Sequence, residues 1–222
     1  MKNLQKMGGI AALYQAAAYL AGLVFFVLVV GDSGVVEPAQ KVASLVDNQF
    51  SMYIMTLLIY VVFGGFLAVL ALAVYDRLKT GAPATMQVAT AFGLIWAGLL
   101  IASGMVFNIG MGTVVDLYGK DPTQAATVWL AIESVSSGLG GELEIVGGLW
   151  ALLVSWAALR AGGLPRPLNY LGVVIGVAGL LTVVPALYTV VLMVFALGQI
   201  VWFVWLGIVM LRSRPSTAPV SA

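Results

Sequence analysis

Apolar residues dominate six long stretches of the chain, which short polar or charged segments separate. A helix needs about 20 consecutive, mostly apolar residues to cross the hydrocarbon core of a bilayer, which is about 30 Å thick. Each of the six stretches is close to that length. The pattern therefore predicts an all-α integral membrane protein, a six-span transmembrane helix bundle. The predicted spans are residues 8–30, 52–75, 87–107, 143–160, 168–187 and 190–211.

A seventh, weaker apolar segment covers residues 123–141 and could be a further span. It contains Glu133, however, and a carboxylate at the centre of a bilayer is expensive. Asp121 is a good N-cap and Pro122 suits a first helical turn, so a helix is expected to begin there. We predict one interfacial helix on the outer face of the membrane. Its apolar stripe would consist of Val128, Ile132, Val135 and Leu139.

The basic residues are distributed unevenly between the two sides of this bundle. If the first span starts in the cytoplasm, eight of the ten Lys and Arg residues fall in inner segments, and eight of the nine acidic residues fall in outer ones. Loops rich in Lys and Arg stay in the cytoplasm. Both termini are therefore predicted to be cytoplasmic. The chain is expected to form a single transmembrane domain over residues 1–211, followed by a short disordered cytoplasmic tail over residues 212–222.

The composition narrows the chemistry further. The chain is 62% apolar and 9% charged, and it contains neither His nor Cys. The absence of both residue types excludes His-ligated haem, the usual zinc sites, Ser-His and Cys-His nucleophilic pairs, and disulfides. No basic run with interleaved aromatic residues points to nucleic acid. We expect no cofactor, no metal and no nucleic acid, and the lipid bilayer is the expected surrounding.

Glu144 is the most informative candidate for function. Counted from Arg160 at 1.5 Å per residue, it would lie about 6 Å inside the outer edge of the hydrocarbon core, with Glu142 at the interface. A carboxylate at such a depth indicates a proton relay, a cation ligand or a contact to a polar substrate. The alternative is a helix-end residue that reaches outward or accepts hydrogen bonds from a neighbouring helix.

Other polar residues are predicted at a depth in the bilayer similar to that of Glu144, and they could complete a cavity on the outer side. Asn108 and Thr182 lie near the outer ends of their spans, and Gln199 lies closer to the middle, where a buried amide needs partners. Glu133 is the remaining carboxylate of the outer side. The candidate ligand-binding residues are Glu144, Glu142, Glu133, Asn108, Thr182 and Gln199.

Small residues predict close helix contacts elsewhere. Gly172 and Gly176 are spaced four residues apart, which makes one face of the fifth span smooth enough for a neighbouring helix or a second copy of the chain. Pro185 is expected to end or kink that span near its outer end.

Three segments of the second half carry a resemblance to a known family. They are residues 144–150 (EIVGGLW), residues 163–168 (GLPRPL) and residues 200–207 (IVWFVWLG). With them the chain resembles the bacterial membrane proteins of domain-of-unknown-function family 4386, while the first half is similar only in its pattern of spans. The resemblance implies a compact multi-span protein of a bacterial inner (plasma) membrane. It implies no reaction.

Three hypotheses for the function remain open. The first is a non-catalytic accessory or small-molecule-binding membrane subunit, which meets a membrane-protein partner or a small apolar or polar ligand at its outer rim. The second is a small-solute or proton-coupled transporter that uses Glu144. The third is an enzyme with carboxylate chemistry at Glu133, Glu142 and Glu144. The missing catalytic residue types and the Gly-rich packing favour the first hypothesis.

Overall fold

The computed structural model describes residues 2–25, 37–141 and 144–212, and every regular element in these ranges is helical. The helices are α1 (Lys2–Phe25), α2 (Pro38–Asp47), α3 (Gln49–Leu78), α4 (Pro83–Tyr118), α5 (Pro122–Ser136), α6 (Ile145–Ala161), α7 (Arg166–Leu181) and α8 (Tyr188–Arg212). Two stretches have the wider π-helical turns: Leu57–Val62 inside α3, and Ser137–Gly141 directly after α5.

Five helical stretches of the described chain are long and apolar enough to cross a membrane. They are Asn3–Phe25, Gln49–Leu78, Pro83–Tyr118, Pro122–Ala161 and Tyr188–Arg212, and α7 is a shorter apolar helix. The chain is therefore a multi-pass membrane protein by length and composition. The stretch Pro122–Ala161 joins α5 to α6 across residues 142–143, which lie outside the described residues.

Helix α4 differs most from its predicted span. The sequence predicted a span over residues 87–107, but the helix continues to Tyr118 and has 36 residues. At 1.5 Å per residue it is about 54 Å long, well beyond a hydrocarbon core of about 30 Å. The apolar run is interrupted near Asn108, but no Pro occurs between there and Pro122, so the helix continues to Tyr118.

Helix α5 begins at the position that its predicted cap indicated, and it folds back along the C-terminal half of α4. The Asp121 carboxylate accepts a hydrogen bond from the Gln124 backbone N–H at 2.9 Å. The Ser103 and Ser136 hydroxyl oxygens are 2.8 Å apart, and the Phe107 and Trp129 ring centroids 4.9 Å apart. These pairings make α4 and α5 antiparallel.

The apolar stripe predicted for α5 is right only in part, because Val128 and Ile132 pack against the protein and Val135 does not. Val135 is 54% exposed, and the most buried side chains belong to a neighbouring row on the helix. Small residues and one Trp form that row because α4 approaches closely there. The buried residues of α5 are Ala125, Ala126, Trp129 and Ser136.

A break separates α5 from α6. Gly140 has φ 143° and ψ 16°, a conformation that residues with a Cβ atom rarely adopt. Beyond the break, α6 continues antiparallel to the inner half of α4. A Cβ atom added at Gly147 would lie 2.6 Å from the Trp96 ring, and one added at Gly93 would lie 2.7 Å from Trp150 Nε1. Glycine at these positions therefore allows the two indole rings to enter the contact.

Helices α6 and α7 pack with their backbones in contact. A Cβ atom at Gly148 would lie 2.8 Å from the Gly176 carbonyl oxygen, and one at Gly172 would overlap the Ser155 hydroxyl. The Gly172 and Gly176 face is therefore covered by α6 and by Trp202 of α8. The hypothesis that this face pairs two copies of the chain is wrong, because the chain itself occupies it.

Helix α7 ends earlier than its predicted span. The sequence predicted a span to residue 187, with Pro185 as its end or kink, whereas the last helical residue is Leu181. The Thr182 hydroxyl donates to the Gly179 carbonyl oxygen at 2.7 Å and so satisfies one free carbonyl of the last turn. The helix end is set one turn before the proline.

The two ends of the bundle differ in charge. At one end Gln5 Nε2 donates to the Met210 carbonyl oxygen at 3.0 Å, and Arg77 Nε donates to the Gly163 carbonyl oxygen at 2.9 Å. These bonds join the start of α1 to the end of α8, and the α3–α4 turn to the α6–α7 turn. We call this end of the bundle the basic end because it carries Arg77, Lys79, Arg160, Arg166 and Arg212. The acidic end carries Glu37, Asp47, Asp116, Asp121 and Glu133 beside Lys41 and Lys120.

The buried apolar side chains form two clusters. The larger one fills the bundle between α1, α3, α4, α6, α7 and α8 and contains Trp150, Trp202 and Phe203, none of them exposed. The smaller one lies at the acidic end, where α2 and α5 cover the extended part of α4 around Trp129. The second cluster covers one face of the C-terminal part of α4, while Ile109 on the other side is 75% exposed.

Candidate functional site

A cavity of about 600 Å³ lies between α1, α3 and α8. At the basic end α1 and α8 touch, since a Cβ atom at Gly207 would lie 3.0 Å from the Gly9 carbonyl oxygen. The cavity lies further along the same two helices. Its lining is mostly apolar and consists of Ala18, Tyr19, Gly22, Leu23, Ile59, Tyr60, Phe63, Leu100, Gly140, Glu144, Thr189, Leu192, Met193, Ala196, Leu197 and Ile200.

The mouth of the cavity is apolar and opens on the side of the bundle. Leu23 of α1 is 49% exposed, and Met193 and Leu197 of α8 are 59% and 50% exposed. These side chains line the cavity and also contact the surroundings of the bundle. The rim of the cavity is therefore an exposed apolar surface.

Glu144 lies at the inner wall of the cavity, at the start of α6. The 17 residues of α6 rise about 25 Å from the basic end to Glu144. In a hydrocarbon core of about 30 Å this is a depth of a few ångström below the opposite surface. The depth of Glu144 in the bilayer stays a prediction, and Glu144 lines the cavity.

Backbone hydrogen bonds hold Glu144 in place. Its carbonyl oxygen accepts the first helical hydrogen bond of α6 from the Gly148 N–H at 2.7 Å. Its own N–H donates to the Thr182 hydroxyl oxygen at 3.1 Å. Thr182 was predicted to face Glu144, and its hydroxyl group contacts the backbone of Glu144 rather than its carboxylate.

The Glu144 carboxylate has no partner among the residues that the structure describes. The ion pairs in this part of the chain are Lys41 with Glu133 and Lys79 with Asp76, and no described side chain donates a hydrogen bond to Glu144. Residues 26–36 and 142–143, which are not described, contain neither Lys nor Arg. The free N–H groups in the first turn of α6 favour a negative charge at this position.

Three aromatic side chains of α1 and α3 share the cavity with Glu144: Tyr19, Tyr60 and Phe63. The rings of Tyr19 and Phe63 meet edge to face with their centroids 5.5 Å apart, and the charge of Glu144 acts on the Tyr19 hydroxyl group. Sequence reasoning missed all three. The π-helical turns that bring Tyr60 to the cavity have no signature in the sequence, although a tyrosine in mid-span, such as Tyr19, is a signal that could have been used.

Three of the other predicted site residues lie elsewhere. Glu133 is paired with Lys41 at 3.2 Å at the acidic end, joining α5 to α2. Asn108 donates to the Tyr53 carbonyl oxygen at 3.4 Å. Gln199 is fully buried, and neither of its amide atoms has a hydrogen-bond partner in the described part of the chain. None of the three lines the cavity, and Glu142 lies outside the described residues.

Comparisons with known proteins give one match. The model of a family described as Domain of unknown function (DUF4386) matches residues 11–209. The match covers most of the chain, so the resemblance seen in the second half extends through the first half as well. No curated protein matches the chain significantly, and no solved structure does.

Proposed function

The chain belongs to the family described as Domain of unknown function (DUF4386), and we propose that it is a non-catalytic membrane protein that binds a small, mainly apolar molecule. The observation that carries the proposal is the cavity between α1, α3 and α8. Its volume of about 600 Å³ falls within the range of small-molecule sites, which is about 300–1,000 Å³. Such sites are mostly apolar with few polar groups, as this one is.

The ligand would enter from the lipid. Leu23, Met193 and Leu197 form an apolar rim that a lipid-dissolved molecule can cross without losing contact with hydrocarbon. A water-soluble solute would have to cross the same rim at a large desolvation cost. The proposed ligand is therefore a molecule that already resides in the bilayer.

We propose that the chain crosses the plasma membrane of a bacterium six times. The start of α1 and the end of α8 then both lie on the cytoplasmic side. The hydrogen bond between Gln5 and Met210 supports an even number of crossings, because it joins the start of α1 to the end of α8. The short helix α7 then counts as the fifth of the six crossings, and α8 is the last. With 16 residues α7 rises about 24 Å, which requires a locally thin bilayer or residues 182–187 at the interface. The positive-inside rule assigns the basic end to the cytoplasm.

Cysteine labelling tests this topology, since the chain has no Cys of its own. Lys79→Cys and Pro165→Cys are expected to react with an impermeant maleimide only after the cells are permeabilised. Glu37→Cys and Lys120→Cys are expected to react on intact cells. Reaction at position 79 or 165 on intact cells would exclude the proposed orientation.

Ligand binding is tested with a fluorine reporter inside the cavity. A trifluoromethyl group on Ala196→Cys would lie in the cavity, and one on Val194→Cys would lie on the lipid side of the same helix at nearly the same depth. The protein in nanodiscs is titrated with a neutral alkane, 2,2-dimethyldodecane. We expect a saturable shift of the ¹⁹F resonance at position 196 and only a gradual, unsaturated change at position 194. The same unsaturated response at both positions would refute a binding site.

Transport is a second candidate function, because one observation favours it. Broken helices at membrane depth are frequent in transporters, and the break at Gly140 lies near Glu144, whose carboxylate has no partner among the described residues. Against transport, Trp150, Trp202 and Phe203 fill the bundle between the cavity and the basic end. Uptake of a labelled alkyl probe into proteoliposomes distinguishes transport from binding alone.

A further inference from the structure

We propose that the ligand of the cavity carries a single positive charge, an amine or a quaternary ammonium group, bound by the Glu144 carboxylate and the rings of Tyr19, Tyr60 and Phe63. This inference rests on the proposed function and names the chemical class of the ligand. The ligand would be an amphiphilic cation whose alkyl part fills the rest of the cavity and whose head group reaches the inner wall.

The charge of the site leads to a cation. Among the residues that the structure describes, Glu144 is the one Asp, Glu, Lys or Arg in the lining of the cavity. Its carboxylate has neither an ion pair nor a hydrogen-bond donor among the described residues, and no Lys or Arg stands in the two undescribed segments nearest to it in the chain. A carboxylate in apolar surroundings is costly unless it is paired. A cationic ligand would supply the positive charge that pairs with the Glu144 carboxylate.

The aromatic side chains select the same class of head group. Two cations of the chain, Lys79 and Arg160, contact the rings of Tyr75 and Trp156. Both lie at the basic end, so neither occupies the rings of the cavity. The three rings of the cavity come from α1 and α3, on neighbouring walls. Ammonium groups bind to the faces of aromatic rings, most strongly where water is excluded. Rings together with a carboxylate favour a cation over a neutral alcohol, and the carboxylate repels an anion.

The remaining lining accommodates an alkyl chain. Leu192, Met193, Leu197 and Ile200 of α8 face Ala18 and Leu23 of α1 across the cavity. The mouth between Leu23 and Met193 opens to the lipid, so an alkyl tail can leave the cavity without meeting water. The geometry therefore fits a molecule with one charged end and one apolar end.

Two probes of the same shape test the inference. Decyltrimethylammonium is a cation, and 2,2-dimethyldodecane has the same carbon skeleton with a neutral quaternary carbon in place of nitrogen. Both are titrated against the Ala196→Cys reporter in nanodiscs of zwitterionic lipid, which removes attraction to an anionic membrane surface. We expect the cation to bind about tenfold more tightly than the alkane.

Glu144→Gln then identifies the source of the preference. We expect it to lower the tenfold preference for the cation to about threefold, the part that the aromatic rings supply. Saturation of the reporter by the alkane shows that the variant is folded. Glu133→Gln, which removes a carboxylate at the acidic end, is expected to leave both affinities unchanged.

The outcomes separate the two proposals. Equal affinity of the two probes in the unmutated background, or a preference for the cation that Glu144→Gln leaves undiminished, would overturn the inference while the binding site stands. Failure of both probes to saturate the reporter would overturn the proposed function together with the inference.

Discussion

Replacing Gly140 with alanine is expected to lower the free energy of unfolding by about 1–3 kcal/mol, because the native φ of 143° strains any residue with a Cβ atom. The space around Gly140 is open, since the nearest atom to an added Cβ would be Leu100 Cδ2 at 3.8 Å. The loss would therefore come from backbone conformation and not from a clash. In a domain of this size it corresponds to a fall in melting temperature of about 2–12 °C.

Gly138→Ala is the matched control for this substitution. Gly138 lies two residues earlier, its φ is not in the positive range, and an added Cβ would meet nothing within 4 Å. Alanine there is expected to be neutral or slightly stabilising, by up to about 1 kcal/mol. Thermal unfolding of both variants in nanodiscs gives the comparison. Equal melting temperatures would mean that the break does not depend on Gly140.

The same substitution is expected to affect the site. The break turns the chain from α5 into α6 and so sets the position of Glu144 at the cavity wall. If Gly140→Ala forces the segment toward a continuous helix, Glu144 moves away from Tyr19 and Phe63. The preference for decyltrimethylammonium over the alkane should then decrease, while Gly138→Ala should retain it.

The helices of the fold could be predicted from the sequence because hydropathy and capping are local properties. Asp121 and Pro122 gave the start of α5 correctly, and the predicted bounds of α8 are within two residues of Tyr188–Arg212. The end of α4 could not be predicted in the same way. Hydropathy reports where a helix leaves the bilayer, and α4 continues beyond that point because α2 and α5 cover it.

The candidate site could be predicted only in part. Sequence pattern singled out Glu144 because it is a carboxylate at the start of an apolar helix, and the structure places it on the wall of the cavity. The rotation of a side chain about its helix axis depends on how neighbouring helices cross, which no single-sequence pattern contains. For this reason Asn108 and Gln199 were assigned to the cavity wrongly, and Tyr19, Tyr60 and Phe63 were missed.

Photolabelling tests most directly the central claim, that the cavity between α1 and α8 binds an apolar molecule from the lipid. The membrane-embedded protein is irradiated with a neutral alkyl diazirine, and the labelled residues are identified by mass spectrometry. We expect labelling of Leu23 and Met193 that an excess of 2,2-dimethyldodecane suppresses. We also expect it to disappear in Ala196→Trp, whose indole would fill the cavity, and to persist in Val194→Trp, which places the same ring on the lipid side. Labelling of these positions that neither the competitor nor Ala196→Trp reduces would contradict a binding cavity.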